Sequence, residues 1–389
     1  MPTLERLRFP EENSLGRRYP EAAHPYRRSF QRDRDRLVHS HAFRRLEDKT
    51  QAFIRPDSDH SRNRLTHTFE VAQIARTVAS ALGLDEILVE ALSLGHDIGH
   101  PPFGHAGEEE LNRQMSRFGG RFDHNIHALR IVEIFERRYA RFPGLNLTFE
   151  VREGLVKHSR DFAPGEFPEL DEFLPGQRPP IEAQLIDPVD EIAYISADLD
   201  DAYSARFLSI EEVINGVPEY AEIWHATCAE FPSAREDVQF AEALRRLAEL
   251  LVSGLIDGTL AAAAESAVQD VQDVRRFPRR LARFEARAES LNPAQRGFLF
   301  SRVYRSEYFQ RSCRRHAAAM GELFQFFLEN PERMRSLQPD SPHDEPPHLA
   351  ICDYIAGMTD GFFYRTYEGL LGPLETNDPP MPIPPAYPV

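Results

Sequence analysis

The chain has 389 residues, a formal net charge of −16, 41% hydrophobic residues and 28% charged residues. This composition predicts a globular protein with a sizeable core, and the acidic balance argues against a general nucleic-acid coat, because phosphate binding needs a cationic face. No run approaches the ~18 consecutive apolar residues of a membrane span, and residues 1–18 are charged and interrupted by proline, unlike a secretory signal, so we expect a cytoplasmic protein with no membrane partner.

Helical periodicity runs through nearly the whole chain and predicts an all-α fold. Apolar residues recur at helical spacing across residues 65–82, and Gly83 follows at the place where a helix C-terminus favours glycine. Asp85 is then a candidate N-cap for a second helix. This second helix delivers the adjacent pair His96 and Asp97 at its end.

A third helix is expected in the segment DEIAYISADLDDAY, which begins at Asp190. Its apolar residues lie on one stripe, and Asp190, Tyr194 and Asp198 lie on another, at positions i, i+4 and i+8. Long helical patterns follow across residues 241–267 and 292–329, with no strand-like alternation of comparable length.

The organisation along the chain predicts one main domain with two appendages. We expect an N-terminal arm at residues 1–30, the main domain at residues 31–372 and a proline-rich tail at residues 373–389. Within the main domain, a metal-binding core is expected at about residues 60–205 and a helical C-terminal part at about residues 206–372.

The segment LSLGHDIGHPPFGH predicts a metal site, because it crowds histidines and an aspartate at the end of an apolar helix. A divalent ion held by imidazole and carboxylate needs three or four such groups that converge from different elements. One such set is His67, His96, Asp97 and Asp190. The three cysteines of the chain form no CxxC pair, so neither a disulfide framework nor a cysteine zinc site is expected.

Three segments carry a resemblance to a known family. They read RNRLTHTFEVAQIAR, GHDIGHPPFGHAGEEELN and DEIAYISADLDD, and together they resemble the signature segments of the HD-domain deoxynucleoside triphosphate triphosphohydrolases, the dGTPase-like family. Similarity continues in HSHAFRRLEDKTQAF upstream and in CDYIAGMTDGFF near the C-terminus, so the resemblance covers roughly residues 25–372.

The resemblance implies an all-α HD-domain helical fold with additional C-terminal helices. It implies one divalent metal ion, Mg²⁺, Mn²⁺ or Fe²⁺, held by His67, His96, Asp97 and Asp190. The implied reaction is hydrolysis of a dNTP, whether dGTP or another, to deoxynucleoside and inorganic triphosphate. Because related enzymes assemble as oligomers and some respond to nucleotides or DNA, a homo-oligomer and a nucleotide or single-stranded DNA effector are expected besides the dNTP substrate.

Further residues match active-site positions of that family. The residues that match catalytic positions are His105, Glu108, His100 and His124. The residues that match substrate-binding positions are Arg64, Gln51, Tyr194 and Asp198. His105 and Glu108 are expected to share a helix face, with the carboxylate raising the imidazole pKa for proton transfer. Many relatives have a histidine before the aspartate that matches Asp198, whereas this chain has Ala197, a departure next to a predicted substrate contact.

Two other functions are consistent with the sequence. An HD phosphohydrolase acting on a monophosphate or cyclic nucleotide would share the four metal ligands but would not need Arg64, Tyr194 and Asp198 as a triphosphate and deoxyribose pocket. A non-catalytic nucleotide-binding or single-strand-binding module would use the arginine clusters at residues 27–36 and 275–287, and its binding would be sensitive to salt.

Overall fold

The computed structural model describes residues 3–51, 62–337 and 345–374, and within these ranges the chain forms helices and no β-strand, which confirms the predicted all-α class. The α-helices are α1 (Ser29–Val38), α2 (His41–Arg45), α3 (Arg64–Leu82), α4 (Glu86–Gly95), α5 (Gly104–Ser116), α6 (His124–Arg130), α7 (Phe149–Lys157), α8 (Ile181–Gln184), α9 (Ile186–Ser204), α10 (Ile210–Gly216), α11 (Pro218–Glu230), α12 (Glu236–Ser266), α13 (Val271–Arg276), α14 (Ala286–Leu299), α15 (Glu307–Glu329), α16 (Pro331–Leu337), α17 (Pro347–Ala356) and α18 (Asp360–Leu371). Short 3₁₀-helices and π-helices lie at Glu5–Leu7, Glu11–Asn13, Leu46–Asp48, Ile131–Phe135, Pro168–Phe173 and Phe300–Tyr304.

The two helices predicted on either side of the Gly83 turn are confirmed. Gly83 ends α3 with a φ of 74°, in the left-handed region that glycine adopts without strain. The Asp85 side chain caps α4 by accepting hydrogen bonds from two amides of its first turn, at 2.9 and 3.1 Å. Because α4 ends at Gly95, the pair His96 and Asp97 lies in the turn that follows it.

The three later predicted helices have different bounds in the structure, and the one predicted across residues 241–267 is α12, which spans Glu236–Ser266. α9 begins at Ile186, so Asp190 lies in its second turn and does not open it. The helix predicted across residues 292–329 is instead split between α14 and α15. The reason is local: the Ser306 side chain caps a new helix by accepting a hydrogen bond from the Phe309 amide at 3.3 Å.

The main hydrophobic core includes residues from the predicted N-terminal arm. Leu4, Leu7 and Phe9 are buried in it, and the Leu4 amide donates to the Leu82 carbonyl oxygen at 2.7 Å. The division into arm, domain and tail stays a prediction, and the tail from residue 375 onward lies outside the described residues.

A second, smaller core lies against α5. It joins Phe103 and Leu111 to Met320 of α15, Ile355 of α17 and Phe363 of α18. All five side chains are buried. The C-terminal helices therefore support α5, the helix that follows the turn of His96 and Asp97, which we call the HD turn. More than half of the chain separates these contacting residues in sequence.

Helix α12 is the one described helix that is long and apolar enough to cross a membrane, with a mean hydropathy of 1.5 over its most apolar window, of which 44% is buried. Its buried residues include Leu247, Leu251 and Leu255, which pack in the main core. A core helix of a soluble protein meets the same criterion of length and composition. The cytoplasmic location therefore stays an expectation.

Candidate active site

The predicted metal ligands converge at the junction of α3, α4 and α9. His67, in the first turn of α3, places Nε2 2.7 Å from Asp190 Oδ1 on α9. His96, directly after α4, places its Nε2 3.8 Å from the same oxygen and 3.5 Å from Asp97 Oδ1. The His67 Nε2 atom also lies 4.0 Å from Asp97 Oδ2. His67, His96 and Asp190 thus place one ligand-type atom each within 4.8 Å of one another, and Asp97 adjoins this group through its contacts with His67 and His96.

The chemistry of this donor set fits a divalent cation. His96 Nδ1 lies 2.6 Å from the Ser93 carbonyl oxygen, so the neutral imidazole carries its proton on Nδ1 and offers the Nε2 lone pair to a cation. That Nε2 is buried, and among the described residues no protein group hydrogen-bonds to it. Two imidazoles and two carboxylates suit Mg²⁺, Mn²⁺ or Fe²⁺, and they do not distinguish between these ions.

The pKa shifts of the predicted ligands also favour a cation at this position. Burial lowers the pKa of His96, but Asp97 and Asp190 raise it to about 9. Burial raises the pKa of Asp97, but His96, Arg64 and His100 together hold it well below its usual range. The carboxylates thus stay ionised and create a negative potential that favours a positive charge, whether a proton or a metal ion, at this position.

Arg64 is a buried partner of the ligand set and not a solvated arginine. Its Nη1 lies 2.8 Å from Asp97 Oδ2, and the residue is 3% exposed. Its Nε has no hydrogen-bond partner among the described residues. A Cβ at Gly104 would lie 3.2 Å from Arg64 Nη2, so the guanidinium lies against the N-terminal end of α5.

A second group of titratable residues adjoins the first through His100. His100 Nε2 lies 3.2 Å from Asp97 Oδ1, and its ring stacks on that of His124 with centroids 3.9 Å apart. His124 Nδ1 in turn lies 2.8 Å from Glu108 Oε1. His100, Glu108 and His124 place one ligand-type atom each within 4.8 Å of one another.

His105 is on the same helix face as Glu108, as expected, but it contacts the carboxylate only loosely. Its Nδ1 lies 3.8 Å from Glu108 Oε2, too far for a hydrogen bond, and its side chain is 86% exposed. The carboxylate is instead hydrogen-bonded to His124. The structure therefore brings Glu108 together with His124, and the assignment of His105 as the proton-transfer residue stays a prediction.

The pKa values in this group follow from its contacts. Burial raises the pKa of Glu108, but His105 and His124 hold it well below its usual range. Burial lowers the pKa of His124, but the Glu108 carboxylate raises it above its ordinary value of 6.5. Burial and the nearby positive charges of Arg64 and His124 lower the pKa of His100. The surroundings of the two stacked histidines thus favour the charged form of His124 and the neutral form of His100.

The predicted substrate-binding residues on α9 do not form an open acidic face. Asp198 is buried, and it accepts a hydrogen bond from the Tyr304 hydroxyl. Burial raises the pKa of Asp198 well above its usual range, an effect that Asp201 increases. Tyr194 is half-buried, one turn from both Asp190 and Asp198. Gln51 is half-buried, and its Oε1 is without a hydrogen-bond partner among the described residues.

Sequence reasoning missed three residues beside this site. His158 is buried, with its ring 5.9 Å from that of His96 and 6.2 Å from that of His124. Its burial and the charges of those two histidines lower its pKa to about 3. Tyr304 and Lys49 were also not singled out. His158 and Lys49 carried a usable signal, because they lie in LTFEVREGLVKH and HSHAFRRLEDKTQAF, two segments that share the family resemblance, whereas Tyr304 lies in neither.

The fold and the site define the class of this chain, which is an HD-domain phosphohydrolase. The family model of the HD domain matches residues 64–195, which carry all four predicted ligands, and that of the phosphohydrolase-associated domain matches residues 282–369.

Several relatives described as deoxyguanosinetriphosphate triphosphohydrolase-like proteins match nearly the whole chain. The relative from Geobacter sulfurreducens is 41% identical over 93% of each chain, and that from Ralstonia nicotianae is 43% identical over 91% of each. The relative from Caulobacter vibrioides is 40% identical over 92% of this chain and 93% of its own. The chain belongs to this deoxyguanosinetriphosphate triphosphohydrolase-like family. A solved structure from Aquifex aeolicus aligns with 79% of each chain at 18% identity, but its TM-score of 0.30 is too low to support a conclusion.

Proposed function

We propose that this protein is a metal-dependent dNTP triphosphohydrolase, which converts a dNTP to deoxynucleoside and inorganic triphosphate. The observation that carries the proposal is the contact between His100 and Asp97 at 3.2 Å, which joins the metal-ligand set to the pair Glu108 and His124. Metal-dependent hydrolysis of a phosphate ester combines a cation site with groups that transfer a proton. The names of the relatives support the same reaction.

His67, His96, Asp97 and Asp190 would hold the metal ion. When bound, such an ion polarises a phosphate oxygen and lowers the pKa of a bound water. Arg64 supplies a fixed positive charge next to this set, through its ion pair with Asp97. Its buried guanidinium, with Nε unpaired among the described residues, is suited to bind a phosphate oxygen.

The protein's own groups would move the proton. Attack of water on the α-phosphorus forms one P–O bond and breaks the bond to the 5′ oxygen, which must then take up a proton. His124 is held protonated by Glu108 at Nδ1, so its Nε2–H can donate to that leaving oxygen. His105 is the alternative donor, because its exposed side chain lies 3.8 Å from the same carboxylate. His100, kept neutral, would accept a hydrogen bond and orient its neighbours.

Sugar recognition is assigned to the face of α9 that follows Asp190. Tyr194 would lie against the sugar edge, where an aromatic ring leaves no room for a 2′ hydroxyl. Asp198, which already accepts a hydrogen bond from Tyr304, would contact the 3′ hydroxyl. Gln51 would contact the sugar or the base through its unpaired Oε1. The departure at Ala197 adjoins this face and leaves the metal ligands in place.

The non-catalytic alternative is disfavoured by the arginine clusters that it requires. In both clusters, guanidinium groups are paired with carboxylates of this chain, which neutralises the positive charge that nucleic acid would need. The pairs are Arg27 with Asp35, Arg32 and Arg36 with Glu21, Arg34 with Glu90, Arg280 with Asp161, and Arg283 with Glu265.

A product assay tests the proposal. The purified protein is incubated with each dNTP singly and with all four together, in Mg²⁺ or Mn²⁺, and nucleoside, monophosphate and triphosphate are separated by chromatography. Deoxynucleoside with equimolar inorganic triphosphate is the expected result. Monophosphate as product would show that attack occurs elsewhere on the phosphate chain, and turnover of monophosphate or cyclic nucleotides alone would favour the alternative HD phosphohydrolase. The oligomer and the effector stay predictions, which sizing with and without the dNTP mixture would check.

A further inference from the structure

The segment 353–360, which we call the C-terminal clamp, contacts the active-site elements at several separate places. It lies in CDYIAGMTDGFF, between the body of α17 and the start of α18. Its contact groups are the Asp353 carboxylate, the Ala356 carbonyl oxygen and the Asp360 carboxylate. None of them belongs to the proposed catalytic and substrate-binding residues, yet each one bonds to a segment that carries one of those residues.

Asp360 bonds to two active-site segments at once. Its Oδ2 accepts hydrogen bonds from the Thr50 amide at 2.9 Å and the Thr50 hydroxyl at 2.5 Å, next to Gln51. Its Oδ1 accepts from the Phe103 amide at 3.1 Å, directly before α5. A single carboxylate therefore sets the separation between the Gln51 segment and the start of the helix that carries Glu108.

The Phe103 turn needs such support, because its backbone is strained. Phe103 has a φ of 63°, in the left-handed region that bulky residues rarely adopt. Its ring packs against two other rings. It stacks on His316 of α15 with centroids 4.4 Å apart, and it meets Phe363 of α18 edge-on with centroids 5.0 Å apart. The conformation that starts α5 is thus determined by groups from the C-terminal helices.

Lys49 and Arg130 connect the C-terminal clamp to two further parts of the active site. The Lys49 ammonium is buried and donates to the carbonyl oxygens of both His100 and Ala356. Arg130 of α6, the helix that begins at His124, donates from Nη2 to Asp353 Oδ2 at 2.7 Å and from Nε to Asp353 Oδ1 at 3.2 Å. The clamp thereby reaches the backbone of His100 and the helix of His124 as well.

We propose that Asp360 is a positioning residue that, with Asp353 and the Ala356 carbonyl, holds the Phe103 turn, the Gln51 segment and α6 in the geometry that the proposed hydrolysis requires. The proposal rests on that function for its catalytic consequence. The four metal ligands lie on α3, on α9 and in the turn after α4, and the clamp's carboxylates do not bond to them. Loss of the Asp360 contacts should therefore impair turnover and leave metal binding intact.

The test compares Asp360→Ala with Tyr367→Phe in the full-length, metal-loaded protein. Tyr367 also joins α18 to α15, through its hydroxyl and Glu322, and among the described residues that hydroxyl makes no hydrogen bond to the Phe103 turn or to Thr50. We expect Asp360→Ala to lower kcat by ~10- to 100-fold, because displacement by about 1 Å is enough for a loss of this size. Metal content should stay at the wild-type value. Amide hydrogen exchange should accelerate in peptides that cover Thr50 and Phe103, and Tyr367→Phe should match the wild type in all three measurements.

Two milder variants keep the proposal testable if Asp360→Ala does not fold. Thr50→Val removes only the hydroxyl donor, and Asp360→Asn keeps one carbonyl acceptor, so both should show smaller losses of kcat in the same direction as Asp360→Ala. Unchanged kcat and exchange in all three variants would overturn the proposal, and so would a loss that Tyr367→Phe shares or one that comes with loss of metal. If the wild type hydrolyses no dNTP, the proposed function fails, whereas the exchange comparison still decides whether Asp360 holds the two segments.

Discussion

Glu108 and His124 meet at a hydrogen bond of 2.8 Å between Oε1 and Nδ1, although 16 residues separate them. The same carboxylate oxygen accepts a second hydrogen bond, from the His124 backbone amide at 3.0 Å. Glu108 thus fixes both the position and the charge of the imidazole. The carboxylate on α5 and the first residue of α6 behave as one unit, and its titration should be visible in turnover.

The pH dependence of kcat should report this unit. Because Glu108 raises the pKa of His124 above its ordinary value, the imidazole keeps its proton to higher pH than a free imidazole does and loses it as pH rises further. A general acid acts only when protonated, so kcat should fall on the alkaline side. Glu108→Gln removes the charge that supports the proton, and the falling limb should move to lower pH, with a loss of about tenfold or more at pH ~8. A kcat profile against pH measures both effects.

Glu109→Gln, at an exposed neighbour, is the control and should keep the wild-type profile. If the alkaline limb does not move in Glu108→Gln, His124 is excluded as the general acid.

Asp190→Ala should abolish metal binding and turnover together. Asp190 Oδ1 is the oxygen that both His67 and His96 approach, at 2.7 and 3.8 Å, so its removal takes away the centre of the donor set. We expect metal content to fall to about a tenth or less and kcat by at least ~100-fold. Metal analysis after dialysis and a product assay measure the two quantities. Asp200→Asn, on the same helix and paired with Arg62, is the matched control. Full activity in Asp190→Ala would rule out the ligand assignment.

Gly99→Ala should displace the helix that begins at His124. A Cβ at Gly99 would lie 1.9 Å from the His124 carbonyl oxygen and 2.6 Å from the Ala128 amide nitrogen, both backbone atoms that no side-chain rotation can move. The HD turn and α6 must then separate, which would cost about 1–3 kcal/mol of unfolding free energy and most of the activity. Thermal unfolding and kcat provide the readouts. Gly297→Ala, where a Cβ meets no atom within 4 Å, should leave activity unchanged. Wild-type behaviour of Gly99→Ala would mean that α6 does not pack so closely on the turn.

Glu182 makes the folded protein less stable as pH rises. It is fully buried, and burial raises its pKa from 4.5 to about 7, although the amides of Phe9 and Asp85 donate to its Oε1. Its stabilising contribution to the free energy of unfolding is complete below about pH 4.5, where the carboxyl is protonated in both the folded and the unfolded chain. This contribution is lost as pH rises to about 7, because the unfolded chain ionises first.

Glu182→Gln keeps a carbonyl acceptor and cannot ionise. The variant should therefore be more stable than the wild type above pH ~7, by at most about 3 kcal/mol, and the difference should shrink towards pH ~4.5. Thermal unfolding across this range measures it. Glu47→Gln, at an exposed position, should follow the wild type throughout. A difference that does not depend on pH would point to packing instead of ionisation.

Local chemistry made part of this structure predictable. The Gly83 turn and the Asp85 cap follow from the conformational preference of glycine and from hydrogen bonds to adjacent amides, both of which act within one helical turn. The same short range explains what the sequence left open. The spacing of His105 and Glu108 indicates a shared helix face, but it does not show that His124 approaches that face from another helix.

The sequence by itself determined the all-α class, the helices around the HD pair and, through the family resemblance, the residue types of the predicted metal site. Only the tertiary structure decided which histidine contacts Glu108, that Asp198 is buried against Tyr304, and that Asp360 bonds to Thr50 across 310 residues. The physical reason is the distance along the chain over which the interactions act. Periodicity and capping depend on residues that are close in sequence. Long-range contacts depend on how the helices pack in the two cores, and no single segment encodes that arrangement.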